Sequence, residues 1–552
     1  MFNRNIYHEN VRDCTLSKKQ TFITGVLIIL ISQFIIKILG FIYRVIITNI
    51  PGFGDEGNSL YSSGFKVYLV LLAISTTGIP AALAKLVSEK AAIGDYKGAH
   101  RMFKVSFYLF TAIGIVGSII LFVGSRPISA WIGNPDAEIV MYVLAPSVFF
   151  VAIASVFRGY FQGLYDMRAQ ADSQIIDQLA KSAFTIGFVY LFMILGQNTK
   201  IMAAGATLGT TLGTIASAIY LCWYYNRKKA MLWENIRSQA NIKSVDPARD
   251  IMRRLIKLSI PISMGSIILT IAGIIDLATV MNRLMINPDV TYKHAKELFG
   301  ILSGKADVLV NFPLALNIAF ATALVPAVAG AMAIKDTKTA SNRISFSLKI
   351  TMLIGLPASV GLCVLADPII HTLFPKASAG GYVVQISAIA IVFIALSQTL
   401  SGALQGLGMV IVPAVALLTG ACTKLILNYI LIPIPNIGVK GAAISSIVCY
   451  FIAATISMVA LLRKLKLNLS FIDFILKPSI AALSMGVVAF YTYSVGKAFI
   501  HSVTISTLLA IMVATIIYTL MLLAVKALSR EDFKMLPYGD KLSKLLIKMN
   551  LL

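Results

Sequence analysis

Arg158-Gly-Tyr-Phe-Gln-Gly-Leu164 recurs as Ser401-Gly-Ala-Leu-Gln-Gly-Leu407, 243 residues further along the chain. Both stretches lie at the end of a long apolar run. Three more matches have nearly the same offset: Gly78-Ile-Pro-Ala-Ala82 with Leu324-Val-Pro-Ala-Val328, Arg126-Pro-Ile128 with Asp367-Pro-Ile369, and Lys181 with Lys424. Four matches in register indicate that the chain contains an internal repeat, and this repeat decides the fold.

The composition places the repeat in a membrane protein. Of the 552 residues, 58% are hydrophobic and only 13% are charged, whereas soluble chains have about 45–50% apolar and about 25% charged residues. This excludes a soluble enzyme, a disulfide scaffold and a disordered protein. The five cysteines are scattered without metal-binding or disulfide spacing.

A membrane-spanning helix needs about 20 mainly apolar residues. On this basis the sequence predicts an all-α polytopic protein with about fourteen spans. They are 22–47, 62–85, 104–124, 138–160, 174–195, 201–224, 255–282, 299–330, 344–366, 381–405, 411–432, 441–462, 475–496 and 502–526.

The repeat groups these spans into two six-helix lobes. Because six is an even number, both lobes have the same orientation, and we expect a pseudo-two-fold axis along the membrane normal with a substrate site between the lobes. The predicted parts are a cytoplasmic N-terminal segment 1–21, an N-lobe 22–224, a basic cytoplasmic loop 225–254, a C-lobe 255–462, helices 13 and 14 in 475–526, and a basic cytoplasmic tail 527–552.

The distribution of basic residues predicts the orientation. Lys and Arg number 48 against 24 Asp and Glu. With both termini in the cytoplasm, inside segments hold about thirty of them and outside segments about eight, as the positive-inside rule requires. The outside loop 48–59 has none and carries Asp55 and Glu56. The basic excess is therefore explained by topology, and no nucleic-acid partner is expected.

Several cations lie inside predicted spans, where each costs roughly 2.5–3.5 kcal/mol unless it faces water or an anion. Lys37 and Arg44 are seven residues apart and share one helix face. The embedded acids are too few to pair with every embedded cation. We therefore predict a water-filled cavity between the lobes that binds an anionic, phosphate-bearing ligand. Its predicted cations are Lys37, Arg44, Lys66, Lys181, Lys305 and Lys424.

The embedded acids are candidates for ion or proton coupling. They are Asp177, Asp276 and Asp307. Asp177 and Lys181 are four residues apart, so the alternative is that they neutralise each other on one helix. Gly78, Pro80 and Pro326 interrupt spans and are candidate hinges.

The sequence contains no motif for catalysis or for a cofactor. Gly300-Ile-Leu-Ser-Gly-Lys305 lacks the spacing and the following Ser or Thr of a phosphate-binding loop. No catalytic-metal or nucleophile motif is present. We predict neither an enzyme nor an ATP-driven pump, and we expect no cofactor, which leaves the membrane potential or a monovalent ion as the energy source.

Several motifs resemble those of a known transporter superfamily. Lys37-Ile-Leu-Gly-Phe-Ile-Tyr-Arg44, Gly78-Ile-Pro-Ala-Ala-Leu-Ala-Lys-Leu-Val87 and Leu302-Ser-Gly-Lys-Ala306 resemble the multidrug/oligosaccharidyl-lipid/polysaccharide exporter superfamily. Within it the chain is most similar to the MurJ-type lipid II flippases and the stage V sporulation protein B group, which belong to polysaccharide biosynthesis. The resemblance covers nearly the whole chain.

The resemblance implies a cationic central cavity for the lipid II headgroup and a groove on helices 13 and 14 for the polyprenyl tail. Lys37 and Lys66 match basic positions of the family. The chain departs from the Gram-negative pattern, which ends the helix-1 motif in Arg-Asp and has paired arginines in helix 2 and one in helix 8. At those places stand Tyr43-Arg44, Leu72 and Ala73, and Val308, with Lys305 one turn away.

The expected function is a flippase that moves an undecaprenyl-diphosphate-linked saccharide, with lipid II first, across the bacterial cytoplasmic membrane by alternating access. The expected partners are this substrate and membrane lipids, and the expected state is a monomer. Two alternatives stay open: a flippase for another polyprenyl-linked polysaccharide precursor, in growth or in sporulation, and a cation-coupled multidrug exporter. The exporter is disfavoured because cations outnumber acids in the spans. A glycosyltransferase is disfavoured because the outside segments 125–137 and 283–298 are short.

Overall fold

The structure is a computed structural model that describes residues 31–73, 78–237, 246–465, 467 and 470–527. Every regular element in these ranges is helical, which confirms the all-α class. The α-helices are α1 (Ile31–Thr48), α2 (Gly54–Ala73), α3 (Ile79–Ala92), α4 (Tyr96–Trp131), α5 (Glu138–Gly163), α6 (Arg168–Ile194), α7 (Thr199–Arg237), α8 (Ala248–Leu284), α9 (Tyr292–Gly300), α10 (Asp307–Ala333), α11 (Thr337–Val364), α12 (Ala366–Leu373), α13 (Gly381–Gly406), α14 (Ile411–Leu431), α15 (Lys440–Lys464), α16 (Lys477–Ile500) and α17 (Val503–Ala524).

Twelve helices within the described ranges are long and apolar enough to cross a membrane, which confirms a multi-pass membrane protein. The two other predicted spans, 62–85 and 255–282, coincide with helices as well. The first falls on α2 and α3 and the second on α8. The predicted terminal segment 1–21, the first residues of span 22–47 and nearly all of the tail 527–552 lie outside the described residues.

The segment 225–254, predicted as a basic cytoplasmic loop, is largely helical in the part that the structure describes. Helix α7 continues to Arg237 and α8 begins at Ala248. The 39 residues of α7 span about 58 Å, well beyond a hydrocarbon core of about 30 Å. The reason is that Lys, Arg and Glu are good helix formers, so the loss of hydrophobicity ends the membrane span without ending the helix.

Contacts with α3 and α4 fix the start of α8. Arg101 Nε donates to the carbonyl of Asp246 at 3.0 Å, and Lys90 Nζ lies 3.1 Å from the Asp246 carboxylate and 3.2 Å from that of Asp95. Burial acts to lower the pKa of Lys90, but these two carboxylates outweigh it and raise the pKa above its ordinary value. These charged contacts hold the start of α8 against α3 and α4, outside the predicted membrane spans.

The chain divides into two compact units. Unit 1 comprises Met1–Ile47 and Ser63–Thr270, and unit 2 comprises Thr48–Ser62 and Ile271–Leu552. Helices α2 and α8 therefore each contribute to both units. The limits predicted for the lobes, 22–224 and 255–462, stay predictions.

The internal repeat is visible in each unit. Helices α5 and α13 begin and end 243 residues apart, and the glycines of the repeated motif pack in the same way. A Cβ atom added to Gly163 would lie 2.8 Å from the Ala84 carbonyl oxygen, and one added to Gly406 would lie 2.9 Å from that of Val325. The motif thus permits a close helix crossing that a larger side chain would block.

A glycine ridge on α7 holds α6 equally close in unit 1. A Cβ atom at Gly209 would lie 2.4 Å from the backbone nitrogen of Thr185, and one at Gly213 would lie 2.7 Å from the carbonyl oxygen of Asp177. Thr185 Oγ1 donates to the carbonyl of Ala206 at 2.8 Å. This crossing fixes the part of α6 that carries Asp177 and Lys181.

Candidate functional site

The predicted cations of unit 1 lie on three helices. On α1, Lys37 is exposed and Arg44 is buried; on α2, Lys66 is half-buried; on α6, Lys181 is buried. Their role in substrate binding stays a prediction.

Lys181 lies against aromatic rings of unit 1. Its Nζ is 4.2 Å from the ring centre of Phe65 and 5.7 Å from that of Tyr43. A ring face stabilises an ammonium electrostatically, and more strongly where water is excluded. The contact therefore brings residues of α1, α2 and α6 to one cationic centre.

Arg158 is a buried cation that the predicted set of site residues missed. Its Nε donates to Ser173 Oγ at 2.9 Å and its Nη2 to Ser217 Oγ at 2.7 Å. Nη2 also lies 3.9 Å from a carboxylate oxygen of Asp177. Asp177 therefore has Arg158 within ion-pair distance, and its neutralisation by Lys181 stays an alternative prediction. The sequence signal was present, because the arginine ends an apolar span where the second repeat has Ser401.

The charges of unit 1 do not balance at membrane depth. Within its predicted spans, unit 1 carries eight cations against two acids, Glu138 and Asp177. The cations are Lys37, Arg44, Lys66, Lys85, Lys104, Arg158, Lys181 and Lys257. Such an excess favours an anionic ligand in this unit.

Lys305 of unit 2 is completely buried in a π-helical turn, Ile301–Ala306. Its Nζ lies 2.7 Å from Asp55 Oδ1. It also donates to the carbonyl oxygens of Ala377 and Ala379, the latter at 3.0 Å. Three groups thus accept from one ammonium, which has three N–H bonds. In this arrangement Lys305 is a paired residue of unit 2 and has no hydrogen left for a ligand.

The partner of Lys305 comes from the predicted outside loop 48–59. Helix α2 begins within this loop, at Gly54, and its first turn carries Asp55 and Glu56. Acidic residues stabilise a helix at this end. Glu56 accepts from Lys296 Nζ at 2.6 Å, and Asn49 donates to the carbonyl of Leu373 at 2.6 Å. These contacts explain why 48–62 belongs to unit 2.

Lys424 of unit 2 is also buried and paired. Its Nζ lies 2.6 Å from Asp276 Oδ2, and Asn428 donates to Asp276 Oδ1 at 3.1 Å. Asp276, a candidate for ion coupling, thus has a lysine and an amide as partners. The third candidate, Asp307, is half-buried at the start of α10. Ion coupling through these acids stays a prediction.

The hinge candidates lie at or within helices. Gly78 precedes α3, and a Cβ atom there would lie 2.0 Å from Ser263 Oγ of the same unit. Pro80 occupies the first turn of α3, where proline is tolerated because that backbone N–H has no helical partner. Pro326 lies inside the continuous helix α10. Hinge motion at these positions stays a prediction.

The last two helices form a pair in unit 2. A Cβ atom at Gly496 on α16 would lie 3.2 Å from Ser506 on α17, and Tyr518 donates to the carbonyl of Leu353 on α11 at 2.7 Å. Large apolar side chains on the outer faces of both helices, such as Phe490 and Leu508, are exposed. The predicted groove for a polyprenyl tail stays a prediction.

Comparison with known proteins places the chain in a family. Residues 22–332 match the family described as "Polysaccharide biosynthesis protein", and residues 306–430 match the MatE family. The first match covers more than half of the chain.

Two curated relatives come from Bacillus subtilis (strain 168). Stage V sporulation protein B is 28% identical over 80% of this chain and 84% of its own length. Lipid II flippase MurJ is 26% identical over 74% of this chain and 77% of its own length. Among solved structures, "Lipid II flippase MurJ, inward closed conformation" superimposes with a TM-score of 0.67 at 16% identity, covering 90% of this chain and 98% of that one.

These findings confirm the predicted membership of a polysaccharide biosynthesis family and the predicted fold. The structural likeness supports the fold, and the sequence matches support the family. The relatives with a named activity are flippases and transporters rather than enzymes, as predicted. The chain belongs to the family described as "Polysaccharide biosynthesis protein".

Proposed function

We propose that the protein is a flippase that moves an undecaprenyl-diphosphate-linked saccharide, with lipid II as the substrate, across the cytoplasmic membrane by alternating access. The observation that carries the proposal is the charge excess of unit 1. Lys37, Arg44, Lys66, Arg158 and Lys181 are among the eight cations that accompany two acids within the predicted spans of unit 1. The names of the relatives support the choice of lipid II.

A diphosphate fits this excess chemically. Its oxygens accept charge-assisted hydrogen bonds from guanidinium and ammonium groups, and such bonds are stronger than those between neutral groups. Where the surrounding protein and lipid lower the effective dielectric below that of bulk water, each charge pair gains further. We propose that Lys37, Arg44 and Lys66 contact the diphosphate and that Arg158 and Lys181 contribute to the positive potential of the site.

The membrane potential supplies a force for this transport without ATP. Moving one negative charge outward through an inside-negative potential is favourable by about 2.3 kcal/mol per 100 mV when the charge crosses the full field. Cations that move with the substrate reduce this gain. No cofactor is required by the proposal, and the acting unit is a monomer surrounded by lipid.

A flippase for another polyprenyl-diphosphate-linked polysaccharide precursor is the second candidate, because the cationic site would recognise the same diphosphate. The match to the family described as "Polysaccharide biosynthesis protein" favours this candidate specifically. A multidrug exporter for cationic drugs fits less well, since the charge excess of unit 1 would repel such a substrate.

Complementation tests the substrate. The gene is expressed in a host whose lipid II flippase can be depleted, and growth is followed after depletion. Restored growth, together with outside labelling of lipid II, is the expected result. Growth failure at normal membrane expression contradicts lipid II as the substrate. Restoration of capsule or teichoic-acid synthesis in a matching deletion strain would then support the second candidate.

The orientation is tested by accessibility. We propose that both termini and residues 225–254 face the cytoplasm, because basic residues on that side number about thirty against about eight. A single cysteine at Lys229, an exposed position of α7, is expected to react with an impermeant maleimide only after the cells are opened. A cysteine at Asp289, which follows α8, is expected to react in intact cells. The reverse pattern contradicts the orientation.

A further inference from the structure

The ion pair between Asp276 and Lys424 lies in an unusually complete polar cage within unit 2. Asp276 and Thr279 are on α8, Lys424 and Asn428 are on α14, and Ser445 is on α15. All five side chains are buried, with at most 4% of any of these residues exposed. The cage is therefore shielded from water and from lipid.

The oxygen atoms of the cage converge on one positive charge and one amide. Asp276 Oδ2 accepts from Lys424 at 2.6 Å and Oδ1 accepts from Asn428 at 3.1 Å. Asn428 also donates to Thr279 Oγ1 at 2.8 Å, and Ser445 donates to Asn428 Oδ1. Carboxylate, amide and hydroxyl oxygens are the ligands that hard cations prefer.

The repeat shows that the acid of this cage is particular to unit 2. Lys181 of unit 1 is 243 residues before Lys424, and Gln33 and Thr185 stand at the same offset before Asp276 and Asn428. Gln33 donates to Gln174 at 2.7 Å, and the Lys181 ammonium lies against the Phe65 ring. A lysine is thus present in both repeats, whereas a carboxylate at the position of Asp276 is present only in the second.

We propose that Asp276, Thr279, Asn428 and Ser445 form a monovalent-cation site whose cation is the ammonium group of Lys424. A carboxylate buried at this depth requires a compensating positive charge, and the lysine supplies it permanently through its own chain. The intact protein then needs no sodium or potassium ion at this place. Shortening Lys424 leaves both the negative charge and the space of the ammonium, so a small free cation can bind there. This reassigns Lys424 from substrate binding to charge compensation.

Thermal unfolding of the purified full-length Lys424→Ala variant tests the proposal. Unfolding is compared in choline, sodium, potassium and methylammonium chloride at equal ionic strength. The intact protein is expected to unfold at the same temperature in all four salts. The variant is expected to lose several degrees in choline and to recover a saturable part of that loss with sodium or methylammonium ions. Equal unfolding temperatures of the variant in all four salts overturn the proposal.

Two controls make the result specific. Asp276→Asn combined with Lys424→Ala removes the negative charge as well and is expected to show no preference among the salts; a preference that persists there overturns the proposal. Lys296→Ala leaves the more exposed Glu56 without its lysine and is also expected to show no preference among the salts. A salt preference of Lys296→Ala that matches that of Lys424→Ala therefore also overturns the proposal. If Lys424→Ala cannot be purified, Lys424→Gln is compared in the same four salts. Recovery of stability with sodium or methylammonium ions supports the proposal, and equal unfolding temperatures in all four salts overturn it. The readout is unfolding, so it stands apart from any failure of the proposed lipid transport.

Discussion

Replacing Lys305 with methionine is expected to destabilise the protein strongly and to abolish complementation. The substitution leaves Asp55 as a buried, uncompensated carboxylate and leaves the carbonyl oxygens of Ala377 and Ala379 without this donor. Breaking a buried ion pair in this way costs about 3–5 kcal/mol. The measurements are the thermal unfolding temperature of the purified protein and growth after depletion of the host flippase.

Lys296→Met is the matched control in the same segment. Its partner Glu56 has 24% of its side chain exposed, against 12% for Asp55, so water compensates more of the charge and the loss is expected to be smaller. Asp55→Asn combined with Lys305→Met removes both charges and is expected to recover most of the stability and transport, because Lys305 has no hydrogen left for substrate. A stable double variant that still fails to transport would instead return Lys305 to the substrate site. If Lys305→Met alone unfolds at the normal temperature and complements fully, the result contradicts both the charge-compensating role and the substrate-binding role of Lys305.

Hydrophobicity predicted the helices well but predicted their ends poorly. Span 138–160 became α5 and span 381–405 became α13 almost without change, because apolar length determines what crosses a membrane. The polar loop 225–254 became two helix extensions, since polarity ends a span without ending a helix. The internal repeat could also be predicted from the sequence, because its glycines allow close helix crossings in both units.

The candidate site was harder to predict, because partners distant in sequence decide whether a lysine is available. Lys305 and Asp55 are 250 residues apart, and Lys424 and Asp276 are 148 apart, so no local pattern revealed these pairs. The sequence predicts Asp55 in an outside loop, although it lies in the first turn of α2, in the part of that helix that belongs to unit 2. Arg158 was visible as an arginine in an apolar span, but only the structure shows the serines and the carboxylate that hold it.

Replacing both Lys37 and Arg44 with alanine is expected to abolish flipping while insertion into the membrane and expression stay normal. The two residues are seven positions apart on α1 and therefore lie on one face of the helix, so one diphosphate can meet both. A hydrogen bond to a charged group contributes about 1.5–3 kcal/mol. Each single substitution is therefore expected to weaken substrate binding roughly 10- to 100-fold. Complementation and labelling of outside lipid II measure the loss.

Charge and geometry are separated by conservative changes. Lys37→Arg is expected to keep partial activity, because Lys37 is exposed and the sign and place of the charge matter more than the guanidinium fork at a solvated diphosphate. Arg44→Lys is expected to lose more, since Arg44 is buried and its orientation is set by its surroundings. Lys200→Ala is the control, because its ion pair with Asp136 is at the surface and contributes about 0–1 kcal/mol. Full complementation by the double alanine variant at normal expression would place the diphosphate elsewhere in unit 1, with Arg158 and Lys181 as the cations to test next.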